Sequence, residues 1–423
     1  AGHAAASRSF TIAAVGEITI QQSLWETADS LAPGAGTYDF RPLFAPIEPW
    51  IAPADLAICH LEASLSPDNR RIRTQPRFSA PRELADAIAA AGYDTCSTAS
   101  NHALDWGLDG LSATLDVLDA AGVSHTGTFR SAADDHPALY DVNGVRVAFA
   151  AYTIGTNGRY VPQEWAVNYL RIDEMLADAA WARDQGAEFV VLGLHWGFEY
   201  QESVAGHQLQ IAAALAASGD VDLIVGHHAH VVQPFDWVDG IPVIYGMSNH
   251  FSNIRGDQGT RKYGAEDGFI VHAEVTEQPD GGFAVTGLRF TPTWMHPTTK
   301  QILPVEHTLA VGAGAIESQL RASLRRTIDR LGRRGHDPTT TPVPWPEASC
   351  AGRPATILGT PGDDLLLGTP GDDVIAGRGG NDAVWGLSGD DQICLGGGDD
   401  FAGGGDGDDR VEGGDGDDVI YGE

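Results

Sequence analysis

Several aliphatic runs in the sequence end on side chains that can hold a cation or move a proton. FTIAAVGE ends on Glu17, LAICHLE on Glu62, DTCSTASNH on Asn101 and His102, FVVLGLHWG on His195, and DLIVGHHAH on His227, His228 and His230. PVIYGMSNH adds Asn249 and His250. Carboxylates, an amide and imidazoles together form a ligand set for Mn, Fe, Zn or Ni, as one ion or two. A single histidine at a strand end is more often an ordinary hydrogen-bonded residue, and it is the whole set that points to a metal. The spacing His228-x-His230 would project two imidazoles from the same side of an extended segment, and an imidazole from another strand would complete the shell.

Something must carry these residues to one place. From Phe10 to about Thr298, short aliphatic runs alternate with Ala/Leu-rich helical stretches, which predicts a layered α/β domain. The helical stretches are Pro81 to Ala91, Leu108 to Ala121, Ile172 to Gln185 and Gly206 to Ser218. In open α/β sheets, ligands bind beyond the carboxyl ends of the strands, so the loaded strand ends should converge on one rim. A further helix, Ala315 to Leu331, lies in an extension over 299–335, and a Pro/Thr-rich linker is expected over 336–358.

A second kind of site is written into 359–423. Glycine opens a nine-residue unit at Gly359, Gly368, Gly377, Gly386, Gly404 and Gly413, with Leu395 in the remaining slot. A carboxylate recurs at the sixth place, as Asp364, Asp373, Asp382, Asp391, Asp400, Asp409 and Asp418. A mostly aliphatic residue recurs at the eighth, as Leu366, Ile375, Val384, Ile393, Ala402, Val411 and Ile420. This is the nonapeptide pattern of a parallel β-roll, in which the eighth residue points inward and the aspartates bind Ca²⁺ in the turns. A disordered Gly/Asp tail would not need an aliphatic residue at fixed phase. Coils with this much like charge should repel one another until calcium neutralises them.

Composition narrows the functional classes. A chain of 423 residues with 43% hydrophobic content can build two or three domains. Its net charge is −32, of which 359–423 carry −15, so the remainder is strongly acidic too. That excludes nucleic acid and anionic membrane as main partners. Only Lys262 and Lys300 are lysines, against 24 arginines. Within this acidic chain RRIRTQPR, from Arg70 to Arg77, is a basic island that could receive a carboxylate-rich substrate such as polyglutamate, or simply be a solvated loop. No apolar run reaches membrane-spanning length, and Ala1 to Ser9 has neither a charged start nor an apolar stretch, which leaves a processed signal or anchor as one reading. Cys59 and Cys96 lie in apolar runs that read as core strands, whereas Cys350 and Cys394 are expected to pair and staple the first coils. A disulfide beside calcium sites points to an extracellular or cell-surface setting.

The motifs GEITI, HLEASL, STASNHALDWG, LHWGFEY and GHHAHVVQP resemble those of CapA-type poly-γ-glutamate biosynthesis proteins, a branch of the calcineurin-like metallophosphatase fold. The resemblance covers about 10–298, and the repeats are similar to haemolysin-type domains of secreted actinobacterial proteins. It implies a four-layer α/β/β/α sandwich, followed here by the β-roll. It implies a metal shell of Glu17, Glu62, Asn101, His195, His228 and His230, with His102 beside the substrate as acid or base. His227 falls where the family is variable. The family usually has Asp in place of Glu17, Asn in place of His60, and Gly-Asn-Phe in place of Ser248-Asn249-His250-Phe251, which favours one metal over two.

Such a site implies a metal-dependent enzyme acting on a peptide or γ-glutamyl amide. A bound ion can polarise a carbonyl or phosphoryl oxygen or lower the pKa of a water. In hydrolysis, the slightly favoured reading, His102 would protonate the leaving group. The alternative is Cα epimerisation, as in the lasso-peptide epimerase type, with an acid and base drawn from Glu17, His102, His250 and His296; a cytoplasmic location would then follow. A third reading is a non-catalytic, cell-surface polymer-binding protein. Asp105 is expected to orient His102. Trp196 and Tyr200 would either wall the pocket or pack in the core, and His296 would either close over the site or serve structure.

Overall fold

A computed structural model of the chain describes residues 8–341, apart from 33, 35, 257, 258 and 261, together with 349–421, apart from 351, 352 and 360–363. The chain divides into two compact units, 1–342 and 343–423.

The first unit is built on two sheets. One contains β1 (Ser9–Ile18), β2 (Leu56–Leu61), β5 (Thr95–Ser97), β6 (Ser124–Thr126), β13 (Asn249–Phe251), β14 (Asp267–Glu277), β15 (Phe283–Met295) and β16 (Ile302–Pro304). Its order is β16-β15-β14-β1-β2-β5-β6, with β13 beside the end of β1. The strands β1, β2, β5 and β6 run parallel, whereas β14, β15 and β16 join antiparallel. The other sheet contains β7 (Ala138–Val142), β8 (Val145–Thr153), β9 (Phe189–His195), β10 (Leu223–His227), β11 (Phe235–Val238) and β12 (Ile241–Ile244), in the order β11-β12-β10-β9-β8-β7. A small parallel pair, β3 (Ser64–Ser66) and β4 (Ser79–Pro81), lies apart from both.

Three apolar layers hold this arrangement together. Between the sheets, Phe10, Ile12, Ala14 and Ile58 of the first pack on Val147, Phe149, Val191 and Val225 of the second. Alternate residues of the same strands face the other way. Ala13, Val15, Ala57 and Cys59 meet the helices Gln22–Leu31 and Glu83–Ala90, while Ala148, Leu192 and Ile224 meet Ile172–Asp184 and Gly206–Ala216. Strands covered on both faces must be apolar at every position, which is why β1, β2 and β9 read as continuous runs. Truncation of the central Phe149 to Ala would cost about 3–5 kcal/mol. The result is the four-layer α/β/β/α sandwich expected from the sequence.

Four expected helices of the sandwich form, with ends shifted by at most two residues, at Glu83–Ala90, Gly107–Ala120, Ile172–Asp184 and Gly206–Ala216. The expected extension over 299–335 is continuous with the sandwich: β16 joins the first sheet, and the helix Glu317–Leu331 contributes Leu331 to the core between the sheets. Part of the expected linker is docked as well, since Thr340 bridges Phe290 and His336 Nε2 lies 2.8 Å from Asp236 Oδ1. The remainder, 342–348, lies outside the described residues.

In the second unit alternate nonapeptides feed opposite four-stranded parallel sheets. Ile357–Leu358, Val374–Gly379, Gln392–Gly397 and Arg410–Asp415 form one; Leu365–Leu367, Ala383–Ser388, Phe401–Asp406 and Val419–Tyr421 form the other. Ile375, Val384, Ile393 and Ala402 fill the space between them, with Leu366 and Val411 partly buried beside them. Ile420, expected to face inward like the others, is 44% exposed. Cys350 and Cys394 are bonded as expected. Cys59 and Cys96, direct partners across β2 and β5, form a second disulfide that strand reading alone did not anticipate.

Candidate metal centre

The carboxyl ends of β1, β2, β5, β9 and β10 bring their polar residues to one rim. Two glycines permit the close approach. A Cβ on Gly16 would lie 2.0 Å from Ser248 O, and one on Gly226 would lie 2.2 Å from Tyr245 O. The segment carrying His228 and His230 is a bend rather than the extended run expected, with left-handed φ values of +85° and +53°. Such backbone costs about 1–3 kcal/mol per residue and persists where the surroundings demand it.

At the centre stands Glu62, buried, with neither carboxylate oxygen hydrogen-bonded. Its Oε1 lies 3.8 Å from His195 Nε2 and 3.7 Å from His230 Nε2. Asn101 Oδ1 is 3.2 Å from the same His195 nitrogen. Donor atoms of Glu62, His195 and His228 lie within 4.8 Å of one another. Glu17 is also fully buried; its Oε1 accepts the His228 backbone N–H, and its Oε2 has no hydrogen-bond partner. His230 Nδ1 is held by Asn249 Oδ1 at 3.0 Å, leaving Nε2 directed toward Glu62.

Electrostatics agree with the burial. Burial pushes the Glu17 carboxyl up to about 8, and burial, with Glu17 and Glu199 nearby, raises Glu62 well above its usual range. Loss of solvent lowers His228 and His230 to about 4 and holds His195 well below its ordinary value, so these imidazoles are neutral, the form that ligates a metal. An uncompensated buried charge costs about 3–5 kcal/mol, and a cation among these oxygens and nitrogens would remove that cost. The donor set therefore fits a transition metal of the kind expected from the sequence.

His102 stands at the edge of the cluster. Its Nδ1 is 2.7 Å from Asp105 Oδ2, which also accepts the Phe78 N–H at 2.7 Å. The Phe78 ring meets the imidazole edge-on at 4.5 Å. Tyr200 packs 5.6 Å from His230, lining the cluster, whereas Trp196 belongs to the core beneath and donates its Nε1–H to Tyr245 O.

Two other candidates are placed elsewhere. His250 points into the helical layer beneath the sheet, where Nε2 meets the Tyr93 hydroxyl at 2.7 Å and the ring faces Phe44. Adjacent strand residues face opposite sides, so Asn249 reaches His230 and His250 cannot share that face. His296 closes its own turn, its Nδ1 accepting N–H groups of Thr298 and Thr299.

The structure also brings in His60 and Asn157, which strand-by-strand reading missed. His60 Nε2 lies 3.0 Å from His195 Nδ1, and the His60 ring stacks on His227 at 4.1 Å. His60 and His227 thus line the cluster from behind, both at strand carboxyl ends. Asn157 Nδ2 is 3.4 Å from His102 Nε2. His60 carried a signal in its position two residues before Glu62; Asn157 lies in a loop and carried none.

The chain is similar to several known proteins. A family model described as bacterial capsule synthesis protein PGA_cap matches residues 11–253. One described as RTX calcium-binding nonapeptide repeat (4 copies) matches 358–393 and 395–423. The capsule biosynthesis protein CapA of Bacillus anthracis is 32% identical over 41% of this chain and 43% of its own length. The PGA biosynthesis protein CapA of Bacillus subtilis (strain 168) is 26% identical over 52% of this chain and 57% of its own. The chain thus spans about half the length of the curated relatives it matches. Among solved structures, the calcineurin-like phosphoesterase YfkN from Bacillus subtilis is similar at 14% identity and a TM-score of 0.41, over 76% of this chain and 99% of that one.

Proposed function

Because the chain belongs to the bacterial capsule synthesis protein PGA_cap family and carries RTX calcium-binding repeats, we propose that it is a secreted accessory protein of poly-γ-glutamate assembly that hydrolyses γ-glutamyl or peptide amide bonds at a metal-loaded site. The observation that carries the enzymatic reading is Glu62, a buried carboxylate with two oxygens lacking hydrogen bonds, ringed by His195, His230 and Asn101. A polymer-binding surface would have no use for so costly a group.

Glu62, Asn101, His195 and His228 would hold one ion, and Glu17 and His230 border it. When bound, that ion would supply Lewis-acid polarisation of a carbonyl oxygen. The protein's own part in proton movement falls to His102. With Asp105 fixing Nδ1–H, the Nε2 position is the one that can hand a proton to a leaving amide nitrogen. Cα epimerisation would need a second proton-moving group on the opposite face of the substrate. His250 is engaged by Tyr93 in another layer and His296 by its own turn, which leaves Glu17, its Oε2 without a hydrogen bond, as the remaining partner for His102; hydrolysis needs His102 alone and is the better-supported reaction.

Secretion is supported by the two disulfides and by the calcium-binding repeats, since thiols oxidise and calcium is abundant outside the cell. Among the described residues, no helix is long and apolar enough to cross a membrane.

The test is incubation of purified protein, with and without added Mn²⁺ or Zn²⁺, with γ-glutamyl oligomers in deuterated water. New termini that require metal and vanish in His228→Ala support hydrolysis. A gain of one mass unit without cleavage would establish Cα exchange instead. Absence of both, together with absence of bound transition metal, would leave only a binding protein.

A further inference from the structure

Beside the dyad of His102 and Asp105 lies a cleft of about 460 Å³ whose composition is unlike the rest of this acidic chain. Its walls include Trp25, Ile72, Arg73, Gln75, Arg77 and Trp106, and among the described residues no acidic one lines it. Arg73 and Arg77 are exposed. Neither guanidinium makes an ion pair among the described residues, whereas neighbouring Arg70 is committed to Asp68 at 3.4 Å. Arg77 sits 6.0 Å above the Trp106 ring, and Arg71 sits 5.9 Å from the same ring. In a chain of net charge −32, these two exposed guanidinium groups on one loop, without a carboxylate partner among the described residues, can receive an anionic ligand.

The cleft is tied to the reacting end of the site. Trp106 follows Asp105 directly, and its Nε1–H donates to Phe78 O at 2.9 Å. Phe78 in turn donates its N–H to Asp105 and packs on His102. Arg77 is the residue before Phe78. The loop that carries the arginines thus leads directly into the residues that hold His102.

We propose that this cleft is a subsite for a carboxylate-bearing peptide chain, resting on the hydrolytic reading above: Arg73 and Arg77 receive side carboxylates while Trp25, Ile72 and Trp106 pack the aliphatic stretches between them. Guanidinium forks match carboxylate geometry with paired hydrogen bonds. Alternation of charge and apolar wall suits a peptide whose carboxylates are spaced by several ångströms. It does not suit duplex nucleic acid, which carries one charge per roughly 1.7 Å and would face repulsion from the surrounding acidic surface.

The experiment is fluorescence anisotropy of dye-labelled oligo-γ-glutamate with the full chain, wild type and Arg73→Gln/Arg77→Gln. The double variant should weaken binding tenfold or more, Arg73→Lys/Arg77→Lys should recover part of it, and thermal midpoints should stay unchanged. Unchanged affinity in the double glutamine variant overturns the subsite. Equal or tighter binding of an oligodeoxythymidylate of the same charge overturns the assignment to carboxylates. Arginine-dependent binding without any cleavage by the wild type would retain the subsite and remove the hydrolytic reading, so the two fail separately.

Discussion

His60 Nε2 lies 3.0 Å from His195 Nδ1, and the other nitrogen of His60 lies 3.1 Å from Ser97 Oγ. If His195 offers the Nε2 lone pair to a cation, Nδ1 carries the proton, His60 accepts it, and His60 Nδ1–H donates to Ser97. One choice of tautomer thus satisfies three residues at once. Replacement of His60 by Leu should lower transition-metal affinity about 10–100-fold while the fold survives. Isothermal titration with Mn²⁺ or Zn²⁺ measures it, and an unaltered affinity would remove His60 from the positioning role.

Asp105→Asn should leave metal content intact and reduce kcat/KM on a γ-glutamyl substrate by about 10²–10⁴-fold, the usual worth of a positioned acid–base group. The amide can no longer hold His102 Nδ1–H as the carboxylate does. A variant of full activity would show that His102 takes no part in proton transfer.

Burial holds His250 neutral down to about pH 3, against an ordinary value of 6.5. Below pH 6.5 the unfolded chain gains a proton that the folded chain refuses. Stability is therefore complete above about pH 6.5 and falls progressively as the pH drops toward 3. His250→Gln retains a partner for Tyr93 and has no proton to gain. Urea titrations from pH 4 to 6 should show the slope of unfolding free energy against pH reduced by about 1.4 kcal/mol per pH unit in the variant. Parallel slopes would mean that His250 titrates alike in both states.

In the repeat array, Asp391 Oδ1 accepts the Asp373 N–H at 2.8 Å and Asp400 Oδ1 accepts the Asp382 N–H at 2.7 Å. The second oxygen of each is buried without a hydrogen bond. Chelation should abolish the β signal of this unit in circular dichroism, and Asp400→Asn should raise the calcium needed to restore it. A unit that keeps its β signal in excess EDTA would show that the coils fold without the ion.

Much of this was legible in the sequence because two patterns were strict. The nonapeptide register fixed the inward aliphatic positions, and continuous apolar runs fixed the strands whose ends meet. What failed did so for want of neighbours. Cys59 and Cys96 bond because β2 and β5 happen to be adjacent in register, a fact no local window contains. His250 was grouped with Asn249 because both follow the same run, yet alternation along β13 sends them to opposite faces. His228 and His230 share a site through a left-handed bend rather than an extended segment, and histidine, although enriched at positive φ, adopts it too rarely for the sequence to show it. Ile420 keeps the eighth-place pattern but stays largely open to solvent.

The pairing of each coil with the one eighteen residues away sets a rule for how such an array can change length. A nine-residue insertion would hand every later strand to the opposite sheet, splitting the outward aromatic row of Trp385, Phe401 and Tyr421 between two sides. An eighteen-residue insertion would leave that row on one side and merely lengthen it. An array that keeps this surface must therefore change in even steps, whereas one that gained or lost a single nonapeptide would display a differently decorated surface while keeping the same interior.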